Sequence, residues 1–165
     1  MKPIAIIYTS NTGHTETYAN LLSSKLEIPA YSLSAVPSSV PKGSPVIYLG
    51  WLFANHVKGY KKAKKRYSVL AICGVGLCDT GALIDEIRKA DDISEDTPLF
   101  TLQGGMDRAK LNGIYKLMIN IFTASIDGKE VRTENDERMR SLLKDGGSYV
   151  SEANLFGILN WYKNI

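Results

Sequence analysis

Ile4-Ala5-Ile6-Ile7-Tyr8-Thr9-Ser10-Asn11-Thr12-Gly13-His14-Thr15-Glu16-Thr17-Tyr18-Ala19 is the stretch on which the reading of the chain turns. Ile4–Tyr8 is an unbroken apolar, β-rich run, the pattern of a strand covered on both faces. Gly13–Leu26 then places Tyr18, Leu21, Leu22 and Leu26 at helical spacing. Between them lies a strand-to-helix loop, Tyr8–Thr15, in which four of eight residues are Ser or Thr. Such a loop turns backbone N–H groups outward, and the helix N-terminus adds about half a positive charge. The hydroxyls of Ser10, Thr12 and Thr15 can donate to an anion, and Gly13 lets it approach the backbone closely. The loop has no Lys or Arg, so it reads as an uncharged cradle for a phosphate monoester. Helix capping alone would use one hydroxyl rather than four.

Outward from this stretch the same rhythm repeats. Ala30–Leu33, Pro45–Gly50, Ser68–Cys73 and Pro98–Leu102 read as further strands, and Val57–Arg66 and Ala82–Ala90 as helices between them. Ser34–Ser44 contains Pro37, Pro41 and Gly43 and reads as a loop. Strands separated by helices predict a parallel sheet covered on both faces, wound with right-handed crossovers. The last third breaks the pattern. Arg108–Ala124 carries a dense apolar set from Leu111 to Phe122. Thr133-Glu134-Asn135-Asp136 resembles a capping box that opens a helix to about Lys144, stopped by Gly146-Gly147. Ser151–Tyr162 reads as a final helix, with Leu155, Ile158, Leu159 and Tyr162 on one face.

Composition bounds the answer. The 165 residues fit one domain, and 44% hydrophobic with 22% charged residues is enough to build a core. A net charge of +3 is too mild to predict nucleic-acid binding. Two cysteines exclude a disulfide scaffold and a four-cysteine zinc site. No apolar run approaches the ~18 residues of a membrane span, and Met1–Tyr8 is too short for a signal-peptide core. The expectation is a soluble cytoplasmic protein with reduced thiols.

Other chemistries fit less well. No G-x-x-x-x-G-K-[ST] occurs, which removes a P-loop ATPase. Gly74-Val75-Gly76 begins a dinucleotide fingerprint, but it follows the fourth strand and Asp79 replaces the third glycine. There is no G-x-S-x-G. Cys73 and Cys78 lack C-x-x-C spacing and read as small hydrophobes rather than a dithiol. Only His14 and His56 remain as metal ligands, and His56 reads as a surface residue.

Ile6–Ala19 resembles the flavodoxin signature: an apolar-apolar-aromatic run, then S-x-T-G-x-T, then Ala four residues on. The resemblance implies an α/β fold of three layers, α/β/α, with a five-stranded parallel sheet of order 2-1-3-4-5 and FMN at its carboxyl edge. It implies that Thr9, Ser10, Asn11, Thr12, Gly13, His14 and Thr15 wrap the FMN phosphate. It also implies that two loops hold the flavin ring. After the third strand stands Trp51-Leu52-Phe53-Ala54, with Trp51 first and Phe53 second as the aromatic to stack on it. After the fourth stands Gly74-Val75-Gly76-Leu77-Cys78, whose glycines would expose backbone groups to the ring edge.

Two features depart from electron-transfer flavodoxins, which are usually acidic. Lys58, Lys61, Lys62, Lys64, Lys65 and Arg66 crowd nine residues with no Glu partner at i±4. Such a patch is a solvated face or an attractor of anions: an acidic protein, an anionic lipid surface or a carboxylate-bearing substrate. A segment at about 106–132 is also inserted after the fifth strand of the single domain, 1–165. In this tail the chain resembles the flavodoxin-domain, menaquinone-dependent protoporphyrinogen oxidases, in which electrons pass to membrane quinones. A porphyrinogen would want an apolar wall, Leu111, Tyr115, Met118 and Phe122, and a basic rim, Lys58, Lys61 and Lys62. The simpler reading has Leu111–Phe122 packed on the sheet.

Three functions therefore stand as expectations. The first is an FMN protein that passes electrons to a redox partner protein. The second is an oxidase of a tetrapyrrole substrate that reduces a quinone, with peripheral membrane contact. The third is a binding module on the same fold without FMN.

Overall fold

A computed structural model describes residues 1–111 and 113–165. Asn112, inside the helix expected over 108–124, lies outside the described residues. The first half follows the order β1 (Ala5–Thr9), α1 (His14–Leu26), β2 (Ala30–Ser32), β3 (Pro45–Phe53), β4 (His56–Val57), α2 (Tyr60–Lys64), β5 (Ser68–Gly76), α3 (Ile84–Asp91) and β6 (Leu99–Gln103). The second half runs β7 (Gly105–Met106), α4 (Gly113–Asp127), α5 (Glu134–Asp145), β8 (Gly147–Ser148) and α6 (Phe156–Lys163), with 3-10 turns at Arg108–Lys110 and Glu152–Leu155.

The main sheet has the order β2-β1-β3-β5-β6, every one of these neighbours parallel. Counted over the five long-path strands this is the 2-1-3-4-5 order of a flavodoxin-like α/β/α sandwich. The period-two alternation of the strands sorts their side chains into two cores. Ala5, Ile7, Val46, Tyr48 and Ile72 join Tyr60, Ala63 and Ile87 from α2 and α3 on one face. Ile6, Ile47, Leu49, Cys73 and Leu102 join Tyr18, Leu22 and Ile158 from α1 and α6 on the other. Each fully buried aliphatic or aromatic side chain here contributes about 1.5–3 kcal/mol relative to exposure.

Two strands outrun their expected ends. β3 continues through Gly50 to Phe53, and β5 through Cys73 to Gly76, because the two pair with each other along this extension: Gly50 with Gly74 and Trp51 with Val75. Ala54 and Asn55, with φ of 49° and 62°, make a two-residue turn into β4, which pairs back on β3 through Leu52–Val57 and Phe53–His56. A turn with both central residues left-handed suits the twist of a hairpin. Ala54 hides it in the sequence, since alanine is rarely left-handed. The expected basic helix Val57–Arg66 is shorter at both ends, because Val57 belongs to β4 and Gly59 (φ 84°) sets the start of α2. A Cβ on Gly59 would lie 2.1 Å from the Tyr48 hydroxyl.

The region after β6 is an excursion from the sandwich. It leaves at β7 and returns at β8, and the two strands clasp each other antiparallel, Gly105 with Ser148 and Met106 with Gly147. The excursion is therefore wider than 106–132 and takes in α5 as well. Its own small core holds Met106, Ile126 and Leu143, with Leu77, Leu111, Ile119 and Met139 packed against it. α4 accordingly packs Ile119 and Ile126 into this small core rather than into either core of the sheet, which it meets through Tyr115 at the end of β3. The capping box at Thr133 is present, with the Thr133 hydroxyl accepting from Asp136 N–H and the Asp136 carboxylate accepting from Thr133 N–H. No helix among the described residues is long and apolar enough to cross a membrane.

One buried hydroxyl ties three segments together. Tyr18 of α1 donates to the Gln103 carbonyl at the end of β6 and accepts from Asn154 Nδ2 (2.6 Å) and Ser151 N–H (3.3 Å). Tyr18→Phe keeps the ring and removes the acceptor of Ser151 N–H, while Asn154 Nδ2 keeps the Gln103 and Tyr149 carbonyls, so we expect a loss of about 1 kcal/mol in urea unfolding. An unchanged midpoint and slope would show that the hydroxyl is not part of the lock.

Candidate functional site at the carboxyl edge of the sheet

β1 and β3 are adjacent, but the chain leaves them toward opposite faces: α1 follows β1 on one side and α2 follows β3 on the other. Between their carboxyl ends a crevice must open, the usual ligand position in open α/β sheets. Three segments distant in sequence meet there. Asn11, Thr12, His14 and Thr15 face Trp51, Leu52 and Phe53 and then Val75, Gly76 and Leu77. The cleft between them has a volume of about 80 Å³.

Each segment is held by its own local chemistry. Gly13, at φ 103°, precedes α1, and its N–H donates to Ser10 Oγ at 3.2 Å. Thr12 Oγ1 lies 3.2 Å from His14 Nδ1. Thr9 is the last residue of β1. Its hydroxyl is 2.8 Å from that of Tyr48, which is also 2.7 Å from the Lys58 carbonyl. The carbonyl can only accept, so Tyr48 donates to it and the Thr9 hydroxyl is engaged with Tyr48 rather than with the loop.

The β3–β4 hairpin, which carries Trp51–Phe53, is pinned by Asp91. This carboxylate is buried (5% exposed) at the end of α3, where the helix dipole disfavours it. It accepts instead from Val57 N–H at 2.7 Å and from His56 Nδ1 at 2.8 Å. His56 is thus a structural partner, and the Asp91-Asp92 pair, which reads in sequence only as a helix end, conceals the anchor.

Gly74 and Gly76 make room for Leu52: a Cβ on either would come within 2.8 or 2.9 Å of its side chain. Their backbone runs in the ladder with β6, Gly74 opposite Thr101 and Gly76 opposite Gln103. This segment therefore offers the cleft surface more than free backbone, and Leu77 is the first residue beyond the strand. Ala54 and Cys78 line an adjoining hollow of about 470 Å³, which Leu83, Met118, Phe122 and Met139 also wall. Cys73 is wholly buried, and burial pushes both thiols up, away from thiolate.

The excursion supplies a fourth wall that the motif does not predict. Gly105, Met106, Leu111, Tyr115 and Ile119 border the cleft. Tyr115 meets Trp51 edge-on at 5.0 Å and Phe53 at 5.5 Å, while Trp51 and Phe53 lie 5.8 Å apart. Lys58 Nζ stands 5.9 Å from the Trp51 ring and 5.2 Å from that of Phe53. Asp79, the one carboxylate of these loops, is paired with Arg138 of α5 at 3.0 Å. Among the described residues no cluster of three or more His, Cys, Asp or Glu side chains is placed to hold a metal ion.

A third hollow, of about 600 Å³, opens on the other side of the cradle between Thr12, Gly13, His14 and the turn Asp107–Lys110. The three volumes are neighbours that share walling residues. Thr12, His14 and Met106 border the polar hollow and the cleft, and Leu52, Phe53, Gly76, Leu77 and Ile119 border the cleft and the apolar hollow. The two larger spaces fall within the ~300–1,000 Å³ of small-molecule sites, and the cleft is the narrow neck between them.

Compared with protein-family models, curated proteins and solved structures, the chain matches none.

His14 borders both the cleft and the polar hollow. Burial lowers its pKa below the ordinary 6.5; Asp107 opposes this and Lys110 reinforces it. The imidazole is therefore neutral at pH 7, and the fold resists its protonation. Below 6.5 the unfolded chain gains the proton first, so this residue costs stability as pH falls from 6.5 toward its folded-state value. An anion in the cradle favours the charged form and reverses the shift. NMR titration of the His14 Cε1 proton should give a midpoint under 6.5 that rises on adding a phosphomonoester. A free-protein midpoint at or above 6.5 would contradict this.

Proposed function

We propose that the chain binds FMN across these adjoining spaces, phosphate in the cradle and flavin ring against Trp51 and Phe53 where the neck meets the apolar hollow, and passes electrons through it. The observation that carries the reading is the convergence of residues 11–15, 51–53 and 75–77 at the edge where the strand order reverses. A ligand that is anionic at one end, flexible in the middle and flat and apolar at the other suits a polar hollow, a neck and an apolar hollow in series. The residues present fit such a group. The cradle offers loop amides, the Thr12 hydroxyl and a neutral imidazole to a monoester. Trp51 and Phe53 offer aromatic faces, where a stacked ring would take over the edge contact that Tyr115 now makes. When bound, FMN supplies the redox chemistry. The protein's share is to orient it, to exclude water with Leu52, Leu77 and Ile119, and to place the Lys58 cation by the aromatic pair.

A second reading, the oxidation of a tetrapyrrole such as protoporphyrinogen with electrons passed to a quinone, is favoured by the roomy apolar hollow. It is favoured too by the outer face of α4, where Ile114, Leu117 and Ile121 are each about 60% exposed. Contiguous exposed apolar side chains of this kind mark a contact surface, with a partner protein or with a membrane that holds quinone.

The test is purification, an absorption spectrum and an FMN titration, with Thr12→Ala as control. We expect flavin absorbance, saturable one-to-one binding and an affinity reduced roughly tenfold in the variant, the loss of one hydrogen bond to a charged group. A chain that stays colourless at saturating FMN would leave only the module without flavin. In the loaded protein, saturable flavin reduction by protoporphyrinogen selects the oxidase, and reduction only by a flavoprotein reductase selects the carrier.

A further inference from the structure

The cradle contains no cation in its own sequence, yet the fold delivers one. Lys110, at the end of the turn Arg108–Lys110, projects its Nζ to 3.6 Å from the position a Cβ would occupy on Gly13. It lines the same polar hollow as Thr12, Gly13 and His14. The two segments are almost a hundred residues apart, and the excursion joins them.

The placement is built. The β7–β8 clasp fixes the turn's start, and the Asp107 carboxylate caps it by accepting from Ala109 N–H at 3.0 Å. The Arg108 guanidinium also borders the hollow, but it is spent on the Leu143 carbonyl and on Asn120 Oδ1. Asp145 lies on the hollow's rim. Lys110 has a carboxylate partner in Asp107, 3.4 Å away, and remains 61% exposed, so its ammonium is mobile enough to exchange that partner for a better anion.

We infer that Lys110 is a ligand of the FMN phosphate, and that it makes the site select the phosphorylated flavin over riboflavin. This rests on the FMN reading and adds to it. A dianionic monoester outcompetes a single solvent-exposed carboxylate for a lysine ammonium, because amides, hydroxyl and ammonium converge on it together. Asp107 acts as the internal competitor: it keeps Lys110 over the cradle and weakens the anion's hold. The excursion thereby touches both ends of the ligand, Lys110 at the phosphate and Tyr115 at the ring.

The experiment measures dissociation constants of FMN and riboflavin by flavin fluorescence for the full chain, Lys110→Ala and Asp107→Asn. Lys110→Ala is expected to weaken FMN roughly tenfold and riboflavin less than about twofold, and to flatten the salt dependence of FMN binding. Asp107→Asn retains the oxygen that caps the turn and should tighten FMN alone. Equal shifts for the two flavins in either variant would assign these residues to structure and overturn the inference. FMN binding untouched by Lys110→Ala would overturn it while leaving the FMN reading intact. A wild-type chain that binds neither flavin would overturn both.

Discussion

The parallel pairing of β1 with β3 is the constraint on which the rest depends. Residues Ala5–Thr9 align with Val46–Gly50, and the chain then departs to opposite faces of the sheet. Parallel strands so connected leave no covering at the point of divergence, and a cleft at their carboxyl ends follows from topology alone. The same pairing aims the start of α1 into that cleft, so the orphan N–H groups of a helix N-terminus face the space a ligand would occupy. Two fully formed cores, one on each face, hold these ends rigidly enough for a site to persist.

On this frame the excursion from β7 to β8 walls one side of the cleft from a fixed attachment. That attachment is the paired Gly105–Ser148 and Met106–Gly147. Glycine is required there: a Cβ on Gly105 would lie 2.1 Å from the Gly147 carbonyl and 2.8 Å from His14 Nε2. Backbone, imidazole and clasp are close-packed here, so the place of the excursion is tied to the conformation of the loop that opens α1. The small core beneath α4 and α5 is satisfied without the outer side chains of α4, which leaves Ile114, Leu117 and Ile121 on the surface. More than half of each of these residues is open to solvent.

The sheet order was legible because buried parallel strands announce themselves as apolar runs, and Ile4–Tyr8, Pro45–Gly50 and Ser68–Cys73 are such runs. The position of the loop between β1 and α1 was legible for the same reason, since it follows the first run directly. What could not be read depends on distant contacts. Gly74 and Gly76 look like loop glycines until Leu52 is placed over them. Val57 looks helical beside a basic run until Asp91 accepts its N–H. The helix at Thr133 looks like part of the sandwich, beyond the inserted 106–132, until β8 returns to β7 and assigns it to the excursion. Lys110 carries no local mark of proximity to Gly13 at all. Local pattern specifies elements well, but it is silent on which side chain from one element fills a gap in another.

The most direct test is the crystal structure of the protein grown with saturating FMN. The phosphorus should lie within hydrogen-bond reach of the amides of residues 11–15, and the ring should lie against Trp51 or Phe53 at the neck. Phosphorus located anywhere else, or a cradle with no anion despite saturating FMN, would contradict the assignment of this edge as a flavin site.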